Sequence, residues 1–313
     1  HWMNQVAGHA AMRPTATALR YRGVDTTWSD LHARTTAGAA ALARRGVQFG
    51  DRVLLLTLNS PEVIEAVLAV NTLGAFAVPI NIRLAPSEIG YIVDDADADV
   101  LIVDQLLAPL VPAIADVTSR LQRVIVLGEA GPGHEAWADL LTEDLGGFVA
   151  PDVPESTCSL IMYTSGTTGM PKGAMLDHVN LFGQSVTVIR CNEANDESDI
   201  AFLTAPLFHI AGLGSMAPNF VLGIPTVIHP LGAFDSTETL DAWERERATV
   251  VFAVPTQWQA ICDDPTVHGR DLALRIISWG AAPASETLLR KMADTFPNAT
   301  NVAVFGQTEM SPI

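Results

Sequence analysis

Cysteine is scarce in this sequence. Its three cysteines, Cys158, Cys191 and Cys262, are far apart, odd in number and form no CxxC pair. This spacing argues against a disulfide framework or a zinc knuckle, and it is typical of proteins in a reducing compartment. We therefore expect a cytoplasmic protein.

Positive charge is also scarce. Lysine and arginine number 18 against 35 aspartate and glutamate residues, which gives a formal net charge of −17. An electric field of this sign repels nucleic acid and anionic membranes, so neither is an expected partner. Any site for a polyanion must create its own local positive potential.

Charged residues are missing altogether between residues 200 and 234. The length of this segment alone suggests a membrane span. However, prolines and glycines interrupt it repeatedly, which predicts buried strands and short helices around an apolar cavity, without stable membrane insertion. The N-terminus also lacks the apolar core of a signal peptide. The interrupting residues are Pro206, Gly212, Gly214, Pro218, Gly223, Pro225, Pro230 and Gly232.

The overall pattern indicates an α/β protein. A chain of 313 residues with 49% hydrophobic content is globular and long enough for about two lobes. Short apolar runs alternate with helical stretches that begin at capping patterns, such as Thr27 with Asp30, Ser60 before Pro61, and Asp235 with Glu238. We predict two layered α/β lobes whose largely parallel sheets are flanked by helices.

The stretch MYTSGTTGMPKGAML at 162–176 is rich in phosphate-binding chemistry. It does not follow the common P-loop rule, because Pro171 and Gly173 flank Lys172 and are poor neighbours for a helix start. The pattern predicts a loop between two strands. Its backbone amides can form an anion-binding concavity, and Lys172 supplies a point charge. A Gly/Ser/Thr-rich surface hairpin is the alternative, but the complete pattern favours phosphate binding.

Four segments resemble the AMP-forming acyl-CoA synthetases of the adenylate-forming superfamily. They are YTSGTTGMPKG in the loop, APLFHIAGL at 205–213, SWGAAP at 278–283 and VFGQTE at 304–309, in the family's order. The resemblance covers nearly the whole chain. It implies that residues 1–313 form an incomplete N-terminal adenylate-forming domain. The ribose-binding aspartate, the hinge and the C-terminal lid with its lysine should come further on, so this portion alone should have little or no activity.

The resemblance also implies an activity. These enzymes join a carboxylate to the α-phosphate of ATP, release pyrophosphate, and then pass the acyl group to coenzyme A. The expected cofactors are ATP, Mg²⁺ and coenzyme A, and the expected partner is a small carboxylic acid, with a fatty acid preferred. A homodimer is compatible with this reading. Two alternatives stay open: a domain that activates an amino acid or aryl acid for a carrier protein, and a non-catalytic nucleotide-binding fragment.

The same resemblance assigns roles to individual residues. The loop residues would grip the β- and γ-phosphates: Thr164, Ser165, Gly166, Thr167, Thr168, Gly169 and Lys172. The adenine and α-phosphate would meet Ala281, Ala282, Pro283, Phe305, Gly306, Gln307 and Thr308. Glu309 would hold Mg²⁺ and, with Thr308 and Lys172, contribute to catalysis. The acid pocket would contain His209, Gly212, Gly214, Gly280 and Gly306.

For His209, the residues leave two readings open, a pocket wall and a core histidine. For Phe305, Thr308 and Glu309 the alternatives are a core aromatic and an ordinary exposed pair.

Overall fold

The computed structural model describes residues 1–164, 169–191 and 198–310. These residues form fourteen strands and eleven α-helices. The strands are β1 (Thr17–Tyr21), β2 (Val24–Thr27), β3 (Arg52–Leu56), β4 (Phe76–Pro79), β5 (Val100–Asp104), β6 (Arg123–Leu127), β7 (Glu135–Ala136), β8 (Cys158–Thr164), β9 (Lys172–Asp177), β10 (Ala201–Leu203), β11 (Thr226–Ile228), β12 (Val250–Ala253), β13 (Ile276–Gly280) and β14 (Thr300–Val304). The helices are α1 (Trp2–Met12), α2 (Trp28–Arg44), α3 (Pro61–Thr72), α4 (Pro86–Ala96), α5 (Val111–Ala115), α6 (Trp137–Leu140), α7 (His178–Cys191), α8 (Ile210–Leu222), α9 (Ser236–Arg245), α10 (Pro255–Asp263) and α11 (Glu286–Thr295).

The strands form two seven-stranded sheets. The first sheet has the order β7-β6-β5-β3-β4-β8-β9, and the second has the order β14-β13-β12-β10-β11-β1-β2. Neighbouring strands are parallel except for the β8–β9 and β1–β2 pairs, each at one edge of its sheet. The predicted fold class, α/β with largely parallel sheets flanked by helices, is confirmed.

The apolar cores arrange these elements in layers. One core lies between the two sheets, because it joins Leu55 of β3 and Leu203 of β10 with residues of α2, α3 and α8. A second core packs α9, α10 and α11 against the outer face of the second sheet. A third packs α4 and α5 against the outer face of the first sheet. Helices therefore cover both faces of each sheet, as parallel sheets require.

The local helix signals are confirmed in most cases. Thr27 caps α2 with a reciprocal capping box to Asp30, and α3 begins at Pro61. Two details differ from the prediction. Ser60 precedes α3 but makes no capping hydrogen bond with its side chain. The Asp235 carboxylate accepts a hydrogen bond from the Glu238 amide at 2.8 Å, without a described bond in return.

The charge-free segment forms β10, α8 and β11. The residue Pro218 lies inside α8, and Gly223 ends that helix with a left-handed backbone conformation. Residues of all three elements or their flanks line an apolar cavity, as the sequence predicts. In the described part of the chain, no helix has the length and apolarity needed to cross a bilayer.

The burial of His178 predicts that the folded protein loses stability at acidic pH. This residue is buried at the start of α7, and neither ring nitrogen has a hydrogen-bond partner among the described residues. Burial lowers its pKa to about 4. An unfolded histidine has a pKa of about 6.5, so between these values the unfolded chain binds one more proton than the folded chain.

We therefore expect the free energy of unfolding to fall by roughly 3 kcal/mol, through this group, as the pH drops from 6.5 to 4. Urea unfolding of wild type and His178→Leu across this window measures the effect. The variant should lose less stability on acidification. Equal losses in the two proteins would show that His178 is not the responsible group.

Candidate active site

Three of the four motif segments meet because of sheet topology. The segment 205–213 follows β10, the segment 278–283 spans the end of β13, and the segment 304–309 begins at the last residue of β14. These strands run parallel in the second sheet, so their carboxyl ends lie at one edge. That edge is where ligands bind in open α/β sheets.

The fourth motif comes from the first sheet. β8 and β9 form an antiparallel hairpin, so the prediction of a loop between two strands is confirmed. Two hydrogen bonds connect the hairpin to α4. The Tyr91 hydroxyl donates to the Pro171 carbonyl at 3.4 Å, and the Tyr163 hydroxyl donates to Asp95 at 2.6 Å. Gly169 has a φ of +100°, a conformation that favours glycine. Ser165, Gly166, Thr167 and Thr168 lie outside the described residues.

Thr164 and Glu309 join the two sheets. The Thr164 hydroxyl donates to Oε1 of Glu309 at 3.3 Å, across 145 residues of sequence. Thr164 is also the cross-strand partner of Lys172 in the hairpin. The structure therefore brings together the phosphate-loop residues Thr164 and Lys172 and the proposed metal ligand Glu309. This contact argues against Glu309 being an unrelated exposed residue.

Lys172 offers a positive charge next to Thr164 in the hairpin. The chain contains only two lysines. Lys291 is ion-paired with Asp263, whereas Lys172 is exposed and forms no ion pair with any described residue. Its ammonium group is therefore free to meet an anionic ligand beside Thr164.

The last residue of β13, Gly280, lies very close to β14. A Cβ atom on Gly280 would lie 2.2 Å from the Val304 carbonyl oxygen, so only glycine fits this position. The next residue, Ala281, has a φ of +63°, which is uncommon for a residue other than glycine and is strained. Ala282 and Pro283 follow on the exposed surface. The backbone at the end of β13 is thus constrained by a close approach at Gly280 and by the left-handed conformation of Ala281.

Phe305 is on the surface. Its side chain is 73% exposed, so the alternative that it is a core aromatic is wrong. An exposed ring next to the strand end is available to stack on a planar ligand. Thr308, in contrast, is half-buried and lines the cavity described next.

A cavity of about 380 Å³ opens between the second sheet, α7 and α8. Of the residues that the sequence assigns to the site, it is lined by His209, Ala281, Gly306, Gln307 and Thr308. Gly212, Gly214 and Gly280 lie nearby without lining it. Ser215, which the sequence groups with these glycines as a small residue that leaves room for the acid, does line the cavity. The rest of the helical wall comes from residues that the sequence does not assign to the pocket, with helical spacing along α7 and α8: Gln184, Val188, Ala211, Pro218, Asn219 and Leu222.

His209 caps α8. Its Nδ1 accepts a hydrogen bond from the Ala211 amide at 3.2 Å, so in the neutral ring the proton is on Nε2. Burial by the surrounding protein lowers the pKa of His209, which keeps the imidazole neutral near pH 7. His209 is nevertheless exposed, and it lines the cavity. The structure thus places it in the cavity wall, not in a closed core.

The model of one protein family, described as AMP-binding enzyme, matches residues 6–313. The chain belongs to this family. Two curated relatives show its range. Feruloyl-CoA synthase of Amycolatopsis sp is 38% identical over 97% of this chain and 58% of its own length. The long-chain-fatty-acid–CoA ligase of Thermus thermophilus is 31% identical over 92% of this chain and 53% of its own.

A solved structure supports the assignment of the fold to this family. The inhibitor-bound N-terminal domain of FACL13 from Mycobacterium tuberculosis is 27% identical and superposes with a TM-score of 0.88. The match covers 98% of this chain and 76% of that one. The chain spans slightly more than half the length of the curated relatives described above.

The residues at the site are compatible with Mg²⁺. No group of three or more His, Cys, Asp or Glu side chains suited to a metal occurs within residues 1–164, 169–191 and 198–310. Mg²⁺ does not need such a group, because it commonly takes one or two carboxylates, substrate phosphates and water. The exposed Glu309 carboxylate beside the Thr164 hydroxyl offers oxygen ligands of this kind.

Proposed function

We propose that the protein carrying this chain activates an apolar carboxylic acid with ATP and transfers it to coenzyme A. In the first step a carboxylate oxygen attacks the α-phosphorus, and pyrophosphate leaves. In the second step the thiol sulfur attacks the acyl carbon, AMP leaves, and the thiol proton passes to solvent. The observation that carries the proposal is the Thr164–Glu309 contact between the phosphate loop and the motif that also lines the cavity.

The residues have separate tasks in this scheme. Lys172 and the loop bind the β- and γ-phosphates of ATP, and they stabilise the charge that develops on the leaving pyrophosphate. Thr308 donates to the α-phosphate at the cavity end, which positions the phosphorus next to the incoming carboxylate. Phe305 stacks on the adenine, and the backbone at 280–283 borders it. Glu309 holds Mg²⁺, which supplies charge neutralisation for the phosphates.

The cavity favours an apolar acid over an amino acid. Its lining is mostly aliphatic, and it contains no aspartate or glutamate from the described residues that could meet a substrate ammonium group. The relatives' names include both an aryl-substituted acid and a long-chain fatty acid. The fatty acid expected from the sequence is therefore one of two acid classes that the proposal includes.

A panel of acids tests this function. Pyrophosphate release by the full-length protein should depend on added acid, with aryl-propenoic and straight-chain acids giving far higher kcat/KM than amino acids. A protein that releases pyrophosphate only with an amino acid, or with no acid at all, would contradict the proposal.

The metal assignment gives a separate prediction. Glu309→Gln keeps the shape of the side chain but removes the charge that attracts Mg²⁺. We expect the Mg²⁺ concentration for half-maximal pyrophosphate release to rise about tenfold, because one charged oxygen ligand is lost. Calorimetry of ATP binding at several Mg²⁺ concentrations should show the same shift.

The matched control is Glu155→Gln, which removes the same charge from an exposed position elsewhere. Its Mg²⁺ titration should follow the wild type. If the Glu309→Gln titration also overlays the wild type, Glu309 does not bind the metal.

A further inference from the structure

The amide oxygen of Gln184, Oε1, in an otherwise largely apolar wall, has no hydrogen-bond partner among the described residues. Gln184 lies on α7, lines the cavity, and is only 6% exposed. Leaving a buried polar group without a partner costs folding free energy, so such a group calls for an explanation.

Other polar side chains in the same wall are already paired within the protein. Four of them donate hydrogen bonds: Thr204 Oγ1 to the Phe252 carbonyl at 3.1 Å, Ser215 Oγ to the Gly212 carbonyl at 2.7 Å, Asn219 Nδ2 to Thr226 Oγ1 at 3.0 Å, and Ser278 Oγ to the Val251 carbonyl at 2.9 Å. These bonds explain the four residues structurally. Gln184 has no comparable explanation within the described chain.

We propose that Gln184 determines specificity by hydrogen-bonding a hydroxyl group on the acyl part of the substrate. The proposal rests on the function proposed above and narrows its substrate class to hydroxylated apolar acids. A side-chain amide presents an acceptor or a donor, depending on a half-turn about its last bond. A hydroxyl both donates and accepts, so it satisfies the amide in either orientation.

The position of Gln184 directs this contact to the acyl part of the substrate. The carboxylate end of the acid must lie near Thr308, where the α-phosphate is bound. Gln184 belongs to α7, which contributes none of the four motif segments, and the aliphatic Val188, one helical turn further along α7, lines the same cavity. Since four other polar side chains of the wall already donate hydrogen bonds within the protein, losing the amide of Gln184 should be costly for a buried substrate hydroxyl.

The test compares two aryl-propenoic acids that are identical except for a hydroxyl on the ring. The full-length wild-type protein should bind the hydroxylated acid more tightly in calorimetry, and use it with a higher kcat/KM for pyrophosphate release, by about 10- to 100-fold. Gln184→Met keeps the volume and apolar character but cannot hydrogen-bond in this way. It should remove the preference by weakening the hydroxylated acid alone.

Ser215→Ala is the matched control, because it removes a lining hydroxyl that is already paired with the protein. This variant should keep the wild-type ratio between the two acids. A wild type that does not prefer the hydroxylated acid, or a preference that survives in Gln184→Met, would overturn the role of Gln184.

Binding and turnover separate the two levels of the proposal. Pyrophosphate release without hydroxyl preference would leave the proposed function intact and refute the role of Gln184. Hydroxyl-dependent binding that Gln184→Met abolishes, without pyrophosphate release from any acid, would support the role of Gln184 and refute the function.

Discussion

Replacing Lys172 with alanine is expected to lower the rate of pyrophosphate release by about 10²-fold or more, the usual scale for losing one group that stabilises charge in a transition state. The reason is the scarcity of positive charge. The protein has a net charge of −17 and two lysines, and Lys172 stands opposite Thr164 at the phosphate loop. The full-length variant should be assayed at saturating acid.

The second lysine provides the control. Lys291→Ala removes the same charge, but from α11, where the ammonium group is paired with Asp263. This variant should release pyrophosphate at close to the wild-type rate. Equal rates in the two variants would show that Lys172 has no special role in phosphate binding.

Replacing Gly280 with alanine is expected to lower the same rate by about 10²-fold, although the change adds only one methyl group. Its Cβ would lie 2.2 Å from the Val304 carbonyl oxygen, so β13 and β14 must separate by about 1 Å to restore a normal contact. Gly280 precedes the strained Ala281, and Val304 begins the motif that carries Thr308 and Glu309. A displacement of this size at reacting groups is enough for such a loss.

Gly232→Ala is the matched control, because a Cβ at Gly232 would have no neighbouring atom within 4 Å. This variant should keep the wild-type rate. Thermal unfolding of both variants distinguishes a local effect from a failure to fold. A folded Gly280→Ala protein with the wild-type rate would refute the close-approach argument.

Much of the architecture follows from local patterns in the sequence. Buried strands such as β5 and β8 appear as short, continuous apolar runs, and α2 begins at a complete capping box. The sequence places the phosphate loop between two strands because Pro171 and Gly173 are poor neighbours for a helix start at Lys172. These signals depend on a few neighbouring residues, so they can be read without knowing the fold.

The geometry of the site depends on long-range contacts that local patterns do not contain. The Thr164–Glu309 bond joins residues 145 positions apart, one at the end of β8 in the first sheet and one shortly after β14 of the second. Motif resemblance grouped these residues, but composition and spacing could not have done so. Gln184 was missed for a related reason. A glutamine on a helix is ordinarily exposed, and only the packing of α7 next to α8 buries it in the cavity wall.

The part of the cavity wall formed by α8 also depends on long-range packing that local patterns do not contain. In the sequence, the small residues Gly212, Gly214 and Ser215 indicate space for a ligand beside this helix. In the structure, the lining residues Ala211, Ser215 and Leu222 share one helical stripe, while Gly212 and Gly214 are buried in the protein. Which stripe faces a cavity is decided by the neighbouring helices, not by residue size alone.

Isotope transfer is the most direct test of acyl-adenylate formation at this site. The full-length protein is incubated with ATP, coenzyme A and a carboxylic acid labelled with ¹⁸O in its carboxyl group, and the nucleotide product is analysed by mass spectrometry. If the carboxylate attacks the α-phosphorus, one labelled oxygen leaves with the phosphate when the thiol takes the acyl group. The account predicts AMP that carries one ¹⁸O atom; unlabelled AMP, or ADP with labelled inorganic phosphate, would contradict it.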